Sequence, residues 1–409
     1  MLSNRMRPLA VRIVVLVAIW LDALLYGLVV PFLPERALAH GATAFGLGAL
    51  FATYALGVVV ATYPVGLLTD RIGPRRTLLG GLVMLLTATL LFGFAEDISA
   101  HVPFIPTLWL LFAARGAQGM AAAATWTAGL AILARQSART SHAALFAQAG
   151  TAMGVGTLLG PPLGGLLYSA GGFRAPFLFA AGLACLDGCG RLLVLPGDAT
   201  DSSDSAQAKT STTRALFRRR VFLLALLAIA AGDLILTALE PTLPPLFTYS
   251  FGLTPLLIGF LFGGLVAGFT VAQTVAASLA RRVPRTLILT AGLAVSAVAL
   301  VGFARAVTLQ DTIVSLLALA FGTSFVLIAG LDLLTASGEE GYAPADVPYG
   351  AIYAAYNLFS ALGGLAGPLA AGSFTALLGL RYTFLMMGVP MLVLANLTVL
   401  LALFSDRRA

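Results

Sequence analysis

Apolar residues in this chain come in long unbroken runs, without the 3.6- or 2-residue alternation that marks half-buried helices and strands. Reading each run to the next cluster of charge or Gly/Pro gives twelve segments, at 11–34, 43–69, 76–95, 105–134, 142–169, 175–195, 221–248, 254–280, 285–305, 312–337, 347–377 and 381–404. Each is near the about 20 apolar residues that a helix needs to cross the hydrocarbon of a bilayer. Backbone polar groups in lipid must be satisfied within the segment, so the runs are expected to be helices. The predicted fold is therefore an all-α membrane protein of twelve transmembrane helices. The first run is too long for a signal-peptide core and lacks a small-residue cleavage site, so it reads as a retained span. One stretch breaks the pattern. From Pro196 to Arg220 the chain is rich in Ser, Thr and Asp with no apolar periodicity, and it reads as a disordered cytoplasmic linker. The expected organisation is a six-helix bundle over 1–195, the linker over 196–220, and a second six-helix bundle over 221–409.

Composition sharpens this. Of the 409 residues 59% are hydrophobic and 10% charged, with a mean hydropathy of +0.96, against about 25% charged in soluble proteins. Twelve spans use almost the whole chain, which leaves no room for a catalytic ectodomain and excludes most soluble enzymes, nucleic-acid binders and secreted scaffolds. The net charge of +7 reports topology more than an acidic partner. If every run crosses, Arg5, Arg7, Arg12, Arg71, Arg75, Arg76, Arg135, Arg139, Lys209, Arg214, Arg218, Arg219, Arg220, Arg281, Arg282, Arg285, Arg407 and Arg408 share one side, and only Arg36, Arg174, Arg305 and Arg381 lie opposite. The positive-inside rule then makes both termini cytoplasmic. Cys185 and Cys189 imply neither a disulfide framework nor a metal site; four residues apart on an apolar helix, they are expected to be packing thiols.

The two halves repeat each other. Thr43, Gly48, Leu50, Phe51 and Gly57 recur 211 residues on as Thr254, Gly259, Leu261, Phe262 and Gly268. Pro31 and Pro34 match Pro241 and Pro244, and Gly156, Gly160, Pro161, Gly165 and Arg174 match Gly363, Gly367, Pro368, Gly372 and Arg381. Parallel six-span repeats are a transporter architecture, with a site expected near the midplane between the pseudo-symmetric halves.

Three stretches carry a family resemblance. Gly66 to Arg76 reads GLLTDRIGPRR and resembles the signature loop between spans 2 and 3 of the major facilitator superfamily. The resemblance implies a charge latch of Asp70 with Arg71 and Arg75, with Gly66 allowing close helix approach and Gly73 in the turn; Pro74 stands where the family has a base. Arg115 to Gly119 reads RGAQG, similar to a span-4 motif of the same superfamily, which implies a part for Arg115 in proton coupling. An Arg inside an apolar span costs about 2.5–3.5 kcal/mol on insertion scales, so it needs a partner. Gly156 to Gly165 reads GTLLGPPLGG and resembles the motif of proton antiporters of the superfamily, here Gly156, Gly160, Pro161, Gly164 and Gly165. Its glycines permit tight contact and Pro161-Pro162 are expected to interrupt the helix ladder, with Gly259, Gly263, Gly264 and Gly268 of span 8 offering a partner surface. LDALLYGLVVPFLPE, ALEPTLPPL, GLDLLTAS and YGAIYAAYNLFSALGGLAGP resemble the drug:proton antiporters that include the vesicular amine and acetylcholine transporters, as well as fungal and bacterial multidrug and metabolite exporters.

Five acids fall within the apolar runs: Asp22, Asp187, Asp233, Glu240 and Asp332. Ionisable groups there are functional by default because they are costly to keep. Asp187 has Arg191 four residues on, a helical pair of structural character. Asp22 lies near the midplane of span 1, Asp233 and Glu240 share one side of span 7, and Asp332 lies deep in span 10. All three His are in or beside loops and no Lys lies in a span, so a proton carrier in the core must be a carboxylate, able to hold either a proton or a cation. The vesicular resemblance implies amine recognition and proton exchange at Asp22, Glu240 and Asp332, while a further span-11 acid of those proteins aligns with Asn357. Tyr26, Tyr353 and Tyr356 could offer cation–π faces.

The sequence thus points to a proton-coupled antiporter, functional as a monomer in the lipid bilayer of a plasma or acidic-organelle membrane. It is expected to export amphipathic, cationic small molecules in exchange for protons. The alternative is export of an anionic or neutral metabolite. No enzyme activity, cofactor, metal or nucleic-acid partner is expected, and no Walker-type Gly-rich loop points to ATP as the energy source.

Overall fold

The computed structural model describes residues 7–136, 142–197, 216–340 and 349–405. Among these residues the chain forms fourteen helices and no strand. In chain order they are α1 Arg7–Leu28, α2 Leu33–Ala39, α3 Ala44–Ile72, α4 Pro74–Gly93, α5 Ala95–His101, α6 Thr107–Gln136, α7 His142–Gly171, α8 Arg174–Val194, α9 Arg220–Phe251, α10 Pro255–Leu279, α11 Arg285–Arg305, α12 Leu309–Glu339, α13 Tyr349–Leu378 and α14 Leu380–Ser405. Apart from the two seven-residue helices α2 and α5, all are of membrane-spanning length, and eleven are also apolar enough to cross. The twelfth long helix, α7, has its hydropathy diluted by glycines and by Pro161 and Pro162. Most of the expected linker, residues 198–215, lies outside the described residues.

Local chemistry sets the ends. Span 1 was expected to run to residue 34, yet α1 stops at Leu28. Pro31 has no N–H to continue the ladder, and the chain tightens through Val30 N–H to Gly27 O, 3.1 Å, before restarting as α2 with Pro34 in its first turn. Thr43 caps α3 by accepting from Gly46 N–H at 3.0 Å, and Thr308 with Asp311 forms a reciprocal capping box on α12. Gly73 joins α3 to α4 at φ +93°, a conformation that favours glycine, and Pro74 opens α4 where its missing N–H costs nothing.

The chain resolves into two compact units, Met1–Ser203 with Leu243–Gly264, and Asp204–Thr242 with Leu265–Ala409. In lipid, helices associate through close packing of small residues more than through apolar burial, and the first unit follows that rule. A Cβ built on Gly156, Gly160 or Gly164 would fall 2.4, 2.7 or 1.8 Å from the carbonyl oxygens of Trp20, Leu24 and Leu28, so α7 lies backbone to backbone on α1. On Gly57 it would fall 2.3 Å from Gly116 O, and on Gly119 2.0 Å from Tyr54 O, which joins α3 to α6 in the same way. The second unit repeats the first crossing: Cβ atoms on Gly363 and Gly367 of α13 would lie 2.3 and 2.2 Å from Ala230 O and Leu234 O of α9.

Two expectations, on Gly66 and on the cysteines, differ from the structure, while that on the α7 prolines is refined. The helix α7 continues through Pro161 and Pro162, so their missing N–H groups interrupt the ladder as expected without ending the helix, and each ring packs where a neighbouring helix has a glycine. Pro161 Cδ lies 3.0 Å from a Cβ built on Gly27, and Pro162 Cγ 2.6 Å from one built on Gly263. Gly66 is not a close-approach position in this structure, since a Cβ there would meet nothing within 4 Å. Cys185 and Cys189 are not packed; both are exposed on α8, on the side turned away from the buried Ala184, Asp187, Gly188 and Arg191.

Candidate functional site

The α3–α6 crossing builds the first group of functional side chains. Arg115 of α6 is fully buried. Its guanidinium lies 5.0 Å from the ring centroid of Tyr26, 5.2 Å from Phe51 and 5.4 Å from Tyr54, and Nη1 donates to Gln118 Oε1 at 3.2 Å. Desolvated cation–π contacts are worth about 2 kcal/mol or more. Nε and Nη2 of Arg115 are buried without a hydrogen-bond acceptor among the described residues. Tyr54 also joins this cage to the nearest acid: its hydroxyl donates to the carboxylate of Asp22, which is 4% exposed. The Tyr26 and Tyr54 rings meet at 4.6 Å between centroids. Asp22, Tyr26 and Arg115 are thus brought together, with the face of Tyr26 taken by the guanidinium. Tyr54 is not singled out by the sequence, whereas Phe51 enters only as a repeat position and Gln118 only within the RGAQG stretch. The available signal was that Phe51 and Tyr54, three apart, share the α3 face that carries Gly57 toward α6.

At the Arg-rich end of this unit Asp70 is exposed in the last turn of α3, with no base in ion-pair range among the described residues. Arg71 is exposed too. Arg75 instead reaches α8, donating to Leu192 O at 3.1 Å. The Asp187–Arg191 ion pair is buried within α8, and Arg191 also donates to Leu78 O of α4 at 2.8 Å, a structural tie between the two helices. At the opposite end Arg36 faces Glu96 at 3.4 Å and Arg174 pairs with Asp97. Two of the bases on the minority side are therefore neutralised by α5.

In the second unit, Asp233 lies where α9 and α13 touch. Ser360 donates to its carboxylate, Tyr356 stands close enough to feel its charge, and Oδ2 is buried without a hydrogen-bond partner among the described residues. Ser360 is the residue missed here; it lies one turn from Tyr356 and shares its face. Asn357, one residue round the helix, is exposed. The side chain of Tyr353 lies outside the described set. Glu240 is half-buried two turns beyond Asp233 on α9. Asp332 departs from expectation. It sits seven residues from the end of α12, its side chain is 37% exposed, and it accepts from Arg285 Nε at 2.5 Å. The second half lacks the acid that the first half carries as Asp70, and the α11 base takes its partner from α12 instead.

Comparison with known proteins agrees with this architecture. The family profile described as Major Facilitator Superfamily matches residues 15–344 and 241–409. The vesicular acetylcholine transporter of Rattus norvegicus is 28% identical over 363 residues, 87% of this chain and 65% of that protein. The synaptic vesicular amine transporter of Mus musculus is 26% identical over 355 residues, 86% of this chain and 65% of that protein. The chain thus spans just under two thirds of the length of these relatives. A bacterial homologue of the human lysosomal transporter Spinster, solved inward-facing and occupied, superposes with a TM-score of 0.79 at 13% identity, covering 97% of each chain. Spanning helices, glycine-built crossings repeated in both halves, and a profile match over most of the sequence lead to one conclusion: this chain is a multi-pass membrane protein that belongs to the Major Facilitator Superfamily.

Proposed function

We propose that the protein is a proton-coupled antiporter that exports amphipathic, cationic small molecules. The observation that carries the reading is Asp22, a carboxylate 4% exposed in an apolar helix, held by the Tyr54 hydroxyl and with no base in ion-pair range among the described residues. A carboxylate so placed needs a proton or an organic cation to offset its charge, and exchange of one for the other is antiport. Relatives named for acetylcholine and amines support a small organic cation, and the glycine set of α7 supports the antiporter type. Asp70, Arg71 and Arg75 are proposed as the latch of the transport cycle, with Gly73 as its turn. Glu240 is a proposed coupling acid; Asp332 could serve as one only after leaving Arg285. Both termini are proposed to lie on the Arg-rich, cytoplasmic side of a plasma or acidic-organelle membrane.

A second reading, export of an anionic or neutral metabolite, is favoured by one observation, the buried Nε and Nη2 of Arg115, which have no acceptor among the described residues. Inside-out vesicles with an imposed pH gradient, offered a panel of tertiary and quaternary amines, neutral compounds and carboxylates, separate the two. Asp22→Asn is expected to abolish amine transport and spare any neutral substrate. Equal loss of both would make Asp22 structural.

A further inference from the structure

Resting on the antiport reading, we propose that Asp233 is the group in the second unit that takes up and releases the coupling proton, with Ser360 and Tyr356 of α13 as its positioning partners. Ala230 and Leu234, the residues on α9 that flank Asp233, are the two whose carbonyl oxygens touch Gly363 and Gly367. Tyr356, Ser360, Gly363 and Gly367, spaced four, three and four apart, form one face of α13. The glycines therefore do more than pack. They bring α13 so close that Ser360 donates to the Asp233 carboxylate and Tyr356 lies within its field.

Among the described residues no base stands in ion-pair range of that carboxylate. Ser360 supplies a hydroxyl donor, and Oδ2 has no hydrogen-bond partner among the described residues. Tyr356 is the titratable group facing it from α13. From α12, the side chains nearest Gly232 are Val326 and Leu327, and Ile229 meets Gly330; the charged residue of that stretch, Asp332, is paired with Arg285. On α9 itself, Thr237 spends its hydroxyl on the Asp233 backbone carbonyl at 2.8 Å. The other buried or bridged acids differ. Asp187 has Arg191, Asp332 has Arg285, and Asp22 has the Tyr54 hydroxyl and the field of Arg191. A proton added to Oδ2 converts the carboxylate to a neutral acid and removes the buried charge; its departure restores the anion held by Ser360. Glu240 lies seven residues on, about 10 Å along the helix, and is placed to pass that proton toward the outer end of α9.

The test reads the carboxyl itself. Purified protein in liposomes is titrated while the infrared C=O stretch of protonated carboxyls is recorded, for wild type, Asp233→Asn, Asp233→Glu and Ser360→Ala. Amine uptake driven by a pH gradient and amine–amine exchange without one are measured on the same samples. We expect a band that disappears as pH rises, is missing in Asp233→Asn, and changes frequency and midpoint in Asp233→Glu and Ser360→Ala. Gradient-driven uptake by Asp233→Asn should fall at least tenfold while exchange survives. A band that persists in Asp233→Asn, or is indifferent to Ser360→Ala, overturns the assignment, as does full gradient-driven uptake without Asp233. Should Asp233→Asn not fold, the frequency shifts in the Glu and Ser360→Ala variants decide. Wild-type protein that couples no amine to the gradient sinks the antiport reading instead, a result distinct from an unassigned band.

Discussion

Adding one methyl group to α7 is expected to separate two helices, and the place of addition decides by how much. At Gly164 a Cβ would stand 1.8 Å from Leu28 O, against at least 3.4 Å for ordinary contact, so α1 and α7 must part by roughly 1.5 Å there. The obstacle is a backbone oxygen, which no rotamer change can move. Overpacking of this kind costs about 1–3 kcal/mol, and Gly164→Ala should reach the upper end. At Gly156 and Gly160 the gaps are 2.4 and 2.7 Å, and the losses should be smaller in that order. Gly154, on the exposed side of the same helix, has nothing within 4 Å of its Cβ; Gly154→Ala should cost nothing and can gain up to about 1 kcal/mol of helix propensity. The double variant Gly160→Ala/Gly164→Ala should lose less than the sum, because helices already parted at one point leave room at the next. Unfolding of the purified protein in mixed micelles with rising SDS measures the series. If Gly164→Ala unfolds with Gly154→Ala, α1 and α7 are not in backbone contact and the account of the crossing fails.

Other contacts give shorter tests. Asp187→Asn strands the buried Arg191 and should cost about 3–5 kcal/mol, whereas Asp332→Asn, in a pair whose partners are 37% and 47% exposed, should cost no more than about 1 kcal/mol; equal losses in the SDS assay would contradict the burial assigned to the two pairs. Arg115→Lys keeps the charge but loses the planar face against three rings and the bond to Gln118, so it should destabilise the first unit by about 2 kcal/mol; wild-type stability and transport would show that charge alone matters there. Asp70→Asn should leave expression and substrate affinity unchanged while slowing turnover several-fold, and unaltered rates would remove the latch from the mechanism.

The spans, the repeat and the glycine positions were legible in the sequence because lipid makes them local properties. A bilayer forces each apolar run to satisfy its own backbone bonds, so run length gave α3, α8 and α11 to within a few residues, and Pro31 with Pro34 held the signal for the break after α1 that run length alone missed. The rotation of each helix about its axis was not legible. In a chain apolar on every side, the period that marks a buried face in soluble helices is absent, and which side of a helix meets which neighbour is settled only by close approach between segments far apart in sequence. That is why Cys185 and Cys189, read as packed, face outward, and why the sequence did not show that the Pro161 and Pro162 rings pack against glycines of α1 and α10. For the same reason Tyr54 and Ser360, ordinary residues in their own segments, hold Asp22 and Asp233. Asp332 was found by its chemistry as an acid within an apolar run, but its partner Arg285 is 47 residues away and its place near the helix end follows from where α12 stops. The kinds of residue able to hold a proton or a cation were set by the sequence; which of them stand paired, caged or without a counter-charge was decided by the crossings of α1 with α7, α3 with α6 and α9 with α13.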